Sequence, residues 1–318
     1  MRINKKILDA INNSSQVAIF IHMRPDGDAF GSSCAMKMML EKMGKYADIY
    51  VDADDISVNF TFIKGVSVVN KPTLQSYDTA IALDCADFTR LGKYGEMYQT
   101  IETRLNIDHH ISNDNFGEIN LVKNTSSTAE IVYAICKSLA IEFDKDIATA
   151  IYTGISADTG CFQHGNTTSS THRIASQLFK FDLETGKINY NLFKKRTWKQ
   201  MMLLQTGLKN LKLYLDDKLA IMCLKESDFI NCGITKNESF GLVDYCVNIE
   251  NVEVGILISE IKPNLFAVSI RGKGNVDCSK LAATFGGGGH PDASGCNIFG
   301  TANTVKDKLI KTAGKFIC

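Results

Sequence analysis

Three short β-rich runs in the first third of this 318-residue chain end in the same way, and that recurrence constrains the fold more than any other feature. QVAIFI (16–21) leads into His22, Asp26 and Asp28, TAIAL into Asp84, and TRLNI into Asp108-His109-His110. YADIYVD supplies one more such run. Each is followed by a loop or a helical pattern, and strands alternating with helices argue for a parallel α/β sheet. In such a sheet, residues just past the strand ends meet along one edge, where ligands bind. The expected fold class is α/β, with an N-terminal parallel-sheet domain and a smaller C-terminal α/β domain built on a mixed sheet.

The helical stretches are legible by period. Gly31 to Lys45 reads as a helix with Ala35, Met38, Met39 and Met43 apolar. Residues 127–140 form a clear amphipathic helix opened by the capping pattern Ser127-Thr128-x-Glu130. Residues 144–158 and THRIASQLFK read as two more. The pattern changes near 185–205, where NYNLFKKRTWKQMMLL carries a basic patch and the lone tryptophan. Beyond it, a hairpin turns at Asp216-Asp217 and another at Pro263-Asn264. We expect a catalytic domain over 1–190, a linker over 191–207 and a second domain over 208–318.

Ile3, Ile7, Leu8 and Ile11 make one face of an N-terminal helix, with no signal-peptide core behind them. No apolar run reaches membrane-spanning length. The ten cysteines contain no C-x-x-C pair, and Cys34, Cys136 and Cys246 fall inside helical patterns. They read as reduced, buried thiols, and the expected location is the cytoplasm. Lys+Arg and Asp+Glu are each 35. A protein that grips long nucleic acid shows a basic excess, so this balance favours a short substrate held locally.

His22, Asp26, Asp28, Asp84, Asp108, His109, His110 and Asp158 are hard oxygen ligands and imidazoles. Two divalent ions about 3.5–4 Å apart need such a set, with one carboxylate between them, to clamp a displacement at phosphorus. On extended backbone Asp26 and Asp28 alternate and would point to different ions. Singly, each residue has a plainer reading. Asp26 and Asp28 in RPDGD suit a turn, Asp84 a loop or cap, and Asp158 a helix C-terminus. Adjacent histidines after a strand are rarer, and the joint case outweighs the single ones. His164 and His172 read as surface positions or supports.

SIRGKGNVDCSKLAATFGGGGHPDASGC (269–296) holds a second candidate site. Asp277–Phe285 fits a helix. The run Gly286–Gly289, including Gly287, Gly288 and Gly289, leads to His290 and re-enters an apolar strand. Glycine backbone can approach a phosphate closely, forming an anion nest, and Arg271 can add a bidentate contact. A flexible linker is the plainer reading, but linkers are more often serine-rich and lie at domain boundaries.

HMRPDGDAFGSS, ALDCAD, IDHH, SSTAE and GISADTGCF, with the 269–296 segment, resemble the DHH phosphoesterase family and its associated C-terminal domain. The resemblance spans nearly the whole chain and is similar to the stand-alone group of nanoRNases, phosphoadenosine-phosphate phosphatases and soluble cyclic-di-AMP or pApA phosphodiesterases. It implies two manganese ions, one on His22, Asp26 and Asp84, the other on Asp28, Asp84, His109 and Asp158. It implies that Asp108 orients the adjacent imidazole and that His110 faces the phosphate. Arg271 and Gly287–His290 would bind the nucleotide across a cleft between the domains, and a homodimer is implied.

The leading expectation is therefore a manganese-dependent hydrolase of short oligoribonucleotides or linear dinucleotides such as pApA, releasing 5′-mononucleotides. Removal of the 3′-phosphate of phosphoadenosine phosphate is a further expected activity. Other readings are a cyclic di-AMP phosphodiesterase, a RecJ-type single-strand exonuclease, a DHH-related pyrophosphatase and a nucleotide sensor that does not turn over. RecJ-type enzymes carry extra nucleic-acid-binding modules, and the intact ligand set argues against a sensor.

Overall fold

Strand β1 (Gln16–Ile21) turns Val17, Ile19 and Ile21 into one apolar cluster and Ala18 and Phe20 into another. Both faces of its sheet are therefore covered, as a parallel sheet requires. The structure, a computed structural model, describes residues 3–53, 56–235 and 241–317 and divides the chain into units 1–195 and 196–318.

In the first unit, α1 (Lys5–Asn13) precedes β1 and buries Ile7 and Ile11, with Ile3 just before it also buried. Then come α2 (Gly27–Lys42), β2 (Tyr46–Val51), β3 (Thr79–Leu83), α3 (Gly95–Thr100), β4 (Thr103–Asp108) and β5 (Ile119–Val122). Helices α4 (Thr128–Ser138), α5 (Lys145–Asp158), α6 (Ser169–Leu178) and α7 (Thr185–Asn189) complete it. The five strands are all parallel, in the order β2-β1-β3-β4-β5. The chain leaves β1 toward β2 and returns past it to β3. The topology thus reverses between β1 and β3, where open α/β sheets form a crevice.

Helix α2 begins at Gly27, not at the expected Gly31, and ends at Lys42. Asp26 is its N-cap, and Gly27 is required by packing, because a Cβ there would lie 2.5 Å from the Ala157 Cβ. The P-D-G-D stretch is therefore a helix start, in which the cap residue Asp26 is extended and Gly27 and Asp28 are helical. Helices α2 and α5 also approach closely. A Cβ on Gly31 would sit 2.5 Å from the Ala150 carbonyl oxygen, and one on Gly154 2.5 Å from Asp28 Oδ1.

Asp48 on β2 is almost fully buried and accepts bonds from Thr73 N–H (2.9 Å), Leu74 N–H (3.2 Å) and the Tyr77 hydroxyl (2.7 Å). Burial pushes its carboxyl up, but these bonds outweigh burial and hold it below its ordinary range. A group depressed on folding stabilises the fold above its unfolded pKa, about 4, and loses that contribution as pH falls through the folded value. Asp48→Ala should therefore cost about 2–3 kcal/mol at pH 7, from donors left unsatisfied. Denaturant unfolding should show a smaller gap from wild type at pH 3. An equal gap at both pH values would refute the electrostatic account.

The second unit opens with α8 (Trp198–Asn210), where a linker was expected over 191–207. Thr197 and Gln200 form a reciprocal capping box, and Leu203, Leu204 and Gly207 are buried. A helix that is capped and buries a face belongs to the domain it packs in. Strands β6 (Lys212–Tyr214) and β7 (Leu219–Leu224) form the first hairpin, followed by α9 (Glu226–Cys232) and α10 (Asp244–Val247). Strands β8 (Val254–Lys262) and β9 (Leu265–Gly272) form the second, turning through Asn264 at φ 62°. Then come α11 (Cys278–Ala283), β10 (Gly288–His290), β11 (Ala293–Phe299) and α12 (Ala302–Ala313). The six-stranded order is β10-β11-β9-β8-β7-β6, parallel only between β7 and β8. No helix among the described residues is long and apolar enough to cross a membrane.

Candidate metal centre

Asp84 is the residue around which the first unit's chemistry is arranged. It follows β3, is 2% exposed, and has φ 57°. A non-glycine residue in left-handed backbone is uncommon, and such strain gathers at functional sites. Its amide donates to the Ile107 carbonyl, and Oδ1 accepts from the Thr128 hydroxyl (3.0 Å). Asp84 Oδ2 lies 3.6 Å from His22 Nε2, and Oδ1 lies 3.6 Å from His109 Nε2.

Three sets of ligand atoms converge. They are His22, Asp26 and Asp84; Asp28, His109 and Asp158; and Asp84, Asp108, His109 and His110. The structure thus gathers all eight first-unit residues read from the sequence. Asp26 and Asp28 do enter different sets, but through a helix start. Asp26 Oδ1 caps α2 by accepting from the Asp28 and Ala29 amides. Asp28, in the first turn, sends both oxygens to the N-terminus of α4, accepting from Thr128 N–H (2.6 Å) and Ala129 N–H (2.9 Å). Asp158 is the last residue of α5, where the helix dipole disfavours a negative charge.

The histidines are oriented by what their Nδ1 atoms meet. His22 Nδ1 lies 2.9 Å from the Met23 carbonyl oxygen, and His109 Nδ1 lies 3.2 Å from that of Thr125. A proton on each Nδ1 leaves Nε2 with its lone pair facing the carboxylates, which is how metal-binding histidines are held. His110 differs. Its Nδ1 lies 2.7 Å from Asp108 Oδ1, which also accepts the His109 N–H. Asp108 is fully buried, and its other oxygen accepts from Asn113 Nδ2 at 2.6 Å.

The donor set suits a divalent cation. Burial, then the charges of Asp84 and Asp158, push the Asp28 carboxyl well above its ordinary range. Burial raises Asp158 to about 6 despite its bond to His109. Burial alone would lower His109, but Asp158, Asp84 and Asp28 raise it to about 11. Carboxylates crowded in low dielectric lack positive charge, and protons fill the place a cation would take.

Thr128, Asn113 and Arg90 were not read from the sequence. Ser127-Thr128-x-Glu130 reads as a cap and as part of the SSTAE motif, and neither reading shows that the amides starting α4 hold Asp28. In the second unit Gly286 and Gly288 have open space beside them, while part of the glycine run pairs as a strand. Gly288–His290 is the short edge strand β10, and Gly287 packs against the Gly295 carbonyl oxygen with no room for a Cβ. Its register places His290 and Arg271 on either side of Ala293, so the two stand on one sheet face. Arg271 is half-buried and lies 4.0 Å from Asp244. His164 is exposed, with Nδ1 3.1 Å from the Asp158 carbonyl oxygen.

A family model described as DHH family, N-terminal domain, matches residues 16–155, and one described as DHHA1 domain matches 217–317. The bifunctional oligoribonuclease and PAP phosphatase NrnA of Thermus thermophilus is 29% identical over 94% of this chain and 89% of its own. An exopolyphosphatase-related protein from Bacteroides fragilis shares the fold, with TM-score 0.90 at 24% identity over 98% of this chain and 95% of that one. RecJ of Thermus thermophilus in complex with Mn²⁺ gives TM-score 0.57 at 10% identity, over 98% of this chain and 54% of that one.

Proposed function

Because the chain belongs to the DHH family, with a DHHA1 domain following the DHH domain, we propose that this phosphoesterase hydrolyses very short oligoribonucleotides and linear dinucleotides to 5′-mononucleotides. The observation that carries the reading is the NrnA likeness, which runs through both domains. A 3′-phosphate of phosphoadenosine phosphate is the second substrate we propose. The zero net charge agrees with a short substrate.

His22, Asp26 and Asp84 would hold one divalent cation, and Asp28, Asp84, His109 and Asp158 a second; we propose manganese, which carboxylate and imidazole ligands without thiolate suit. The chemistry such ions supply is a stronger nucleophile from water near neutral pH and neutralised phosphate oxygens. The protein's own part is orientation. Asp108, fixed by Asn113, accepts from His110 Nδ1 and so presents Nε2 outward. His110 then stabilises the reacting phosphate or gives a proton to the leaving oxygen. In the second domain we propose that Arg271, Gly287, Gly288, Gly289 and His290 bind a nucleotide phosphate.

The test is turnover of pApA, phosphoadenosine phosphate, cyclic di-AMP, a 5-mer RNA and long single-stranded DNA under one Mn²⁺ condition. EDTA should abolish activity and Mn²⁺ restore it best, with rates highest on 2- to 5-mers. Full activity after chelation would refute the metal mechanism. Preference for long DNA would move the protein to the RecJ-type reading, and binding of pApA without AMP release would make it a sensor.

A further inference from the structure

Arg90 lies in the 3-10 helical segment Phe88–Tyr94 that follows Asp84, and its position is fixed from several sides. Its carbonyl accepts the Met23 amide at 2.8 Å, and Leu91 beside it is buried. Gly92 (φ 57°) packs against the Asp52 carboxylate, which also accepts the Lys93 amide at 3.0 Å. A half-buried guanidinium on so anchored a segment is held in place.

The His22 ring is its immediate neighbour. Arg90 Nη2 lies 3.1 Å from His22 Nδ1, and among the described residues the guanidinium forms no ion pair. Arginine offers five N–H donors and no acceptor. His22 Nδ1 lies closer to the Met23 carbonyl oxygen, at 2.9 Å. If the ring presents Nε2 to the His22, Asp26 and Asp84 set, Nδ1 carries the proton, donates to that carbonyl and cannot accept from Arg90. In that tautomer the guanidinium keeps its charge and all its donors beside the cluster and lacks an acceptor there. A planar, permanently charged fork in that situation matches the oxygens of a phosphate.

We propose that Arg90 is a phosphate-binding residue of the first unit. It would take a non-bridging oxygen of the substrate's phosphate beside His22, Asp26 and Asp84. The inference rests on the phosphoesterase reading but not on which nucleotide is preferred.

The test uses full-length protein, R90Q and R90K, each loaded with Mn²⁺. Bound manganese is measured by atomic emission, thermal stability by calorimetry, and the Kd for inorganic phosphate by titration. We expect R90Q to keep its manganese and its fold while binding phosphate roughly 10- to 100-fold more weakly. KM for bis-p-nitrophenyl phosphate should rise more than kcat falls, and R90K should recover part of the phosphate affinity. Unchanged phosphate affinity in R90Q would overturn the proposal. So would loss of manganese from a folded R90Q, which would make Arg90 a brace for His22. Should R90Q fail to fold, R90K decides, because weakened phosphate binding with manganese retained supports the proposal and unchanged binding overturns it. A wild type that binds phosphate but turns over no nucleotide would refute the proposed substrates and leave these comparisons readable.

Discussion

Asp84→Ala should reduce turnover by roughly 100-fold or more while leaving the first unit folded. Removing a residue that merely orients a metal ligand costs about 10- to 100-fold, so loss of a carboxylate shared between two ligand sets should cost at least that. Asp84 faces His22 through Oδ2 and His109 through Oδ1, so its loss opens both sets. Stability pulls two ways. Alanine still occupies the left-handed backbone, at about 1 kcal/mol, and His22, His109 and His110 lose the carboxylate they hold ionised, but the desolvation cost of that buried charge is gone. The Mn²⁺-dependent rise in melting temperature should vanish, and the metal-free melting temperature should hardly move. Retention of more than a tenth of wild-type kcat/KM would sink the assignment of Asp84 as the shared ligand.

Gly154→Ala should both destabilise the protein and weaken metal binding, although alanine is the better helix former. The helix-propensity gain is about 1 kcal/mol. Against it stands a methyl placed 2.5 Å from Asp28 Oδ1 and 2.6 Å from the Ala129 Cβ. Neither neighbour can yield easily, because Asp28 is tied to the amides of Thr128 and Ala129 and Ala129 is itself in α4. Overpacking of this kind costs about 1–3 kcal/mol, so the net loss should be up to about 2 kcal/mol. The larger effect should fall on Asp28, which must move, raising the Kd for Mn²⁺. Gly186→Ala is the control, since a Cβ there meets nothing within 4 Å. A Gly154→Ala protein with wild-type stability and wild-type Mn²⁺ affinity would show that α2 and α5 have slack.

The site was more legible than its scaffolding. Buried parallel strands announce themselves as apolar runs, and the residues just past their ends must lie along one edge, so His22, Asp84 and Asp108 could be placed from periodicity alone. Asp26 and Asp28 were found for the wrong reason. Gly27 looks like turn chemistry locally, and only its contact with Ala157, more than a hundred residues away, shows that it lies in a helix. Residues 191–207 misled similarly. Basic charge and an exposed tryptophan (78% exposed) hide a buried stripe of Leu203, Leu204 and Gly207. The glycine run concealed a strand, because β-propensity gives no sign of pairing with Ala293–Gly295. Thr128 and Asn113 act by pointing at Asp84 and Asp108, and no spacing encodes that.

The glycine contact between α2 and α5 also sets an order of events during synthesis. His22 to Asp84 leave the ribosome early, yet the pocket they belong to closes only when α5 docks and brings Asp158 to His109 and Gly154 to Asp28. A nascent chain that stops before α5 holds a partial set of carboxylates and no enclosed site. A cation held by Asp28, Asp84, His109 and Asp158 would therefore reward only a finished domain, whereas the His22, Asp26 and Asp84 set is complete in sequence by residue 84. Full-affinity metal binding thus reports that long-range packing is complete, and a chain that misdocks α5 would stay inert toward phosphate esters.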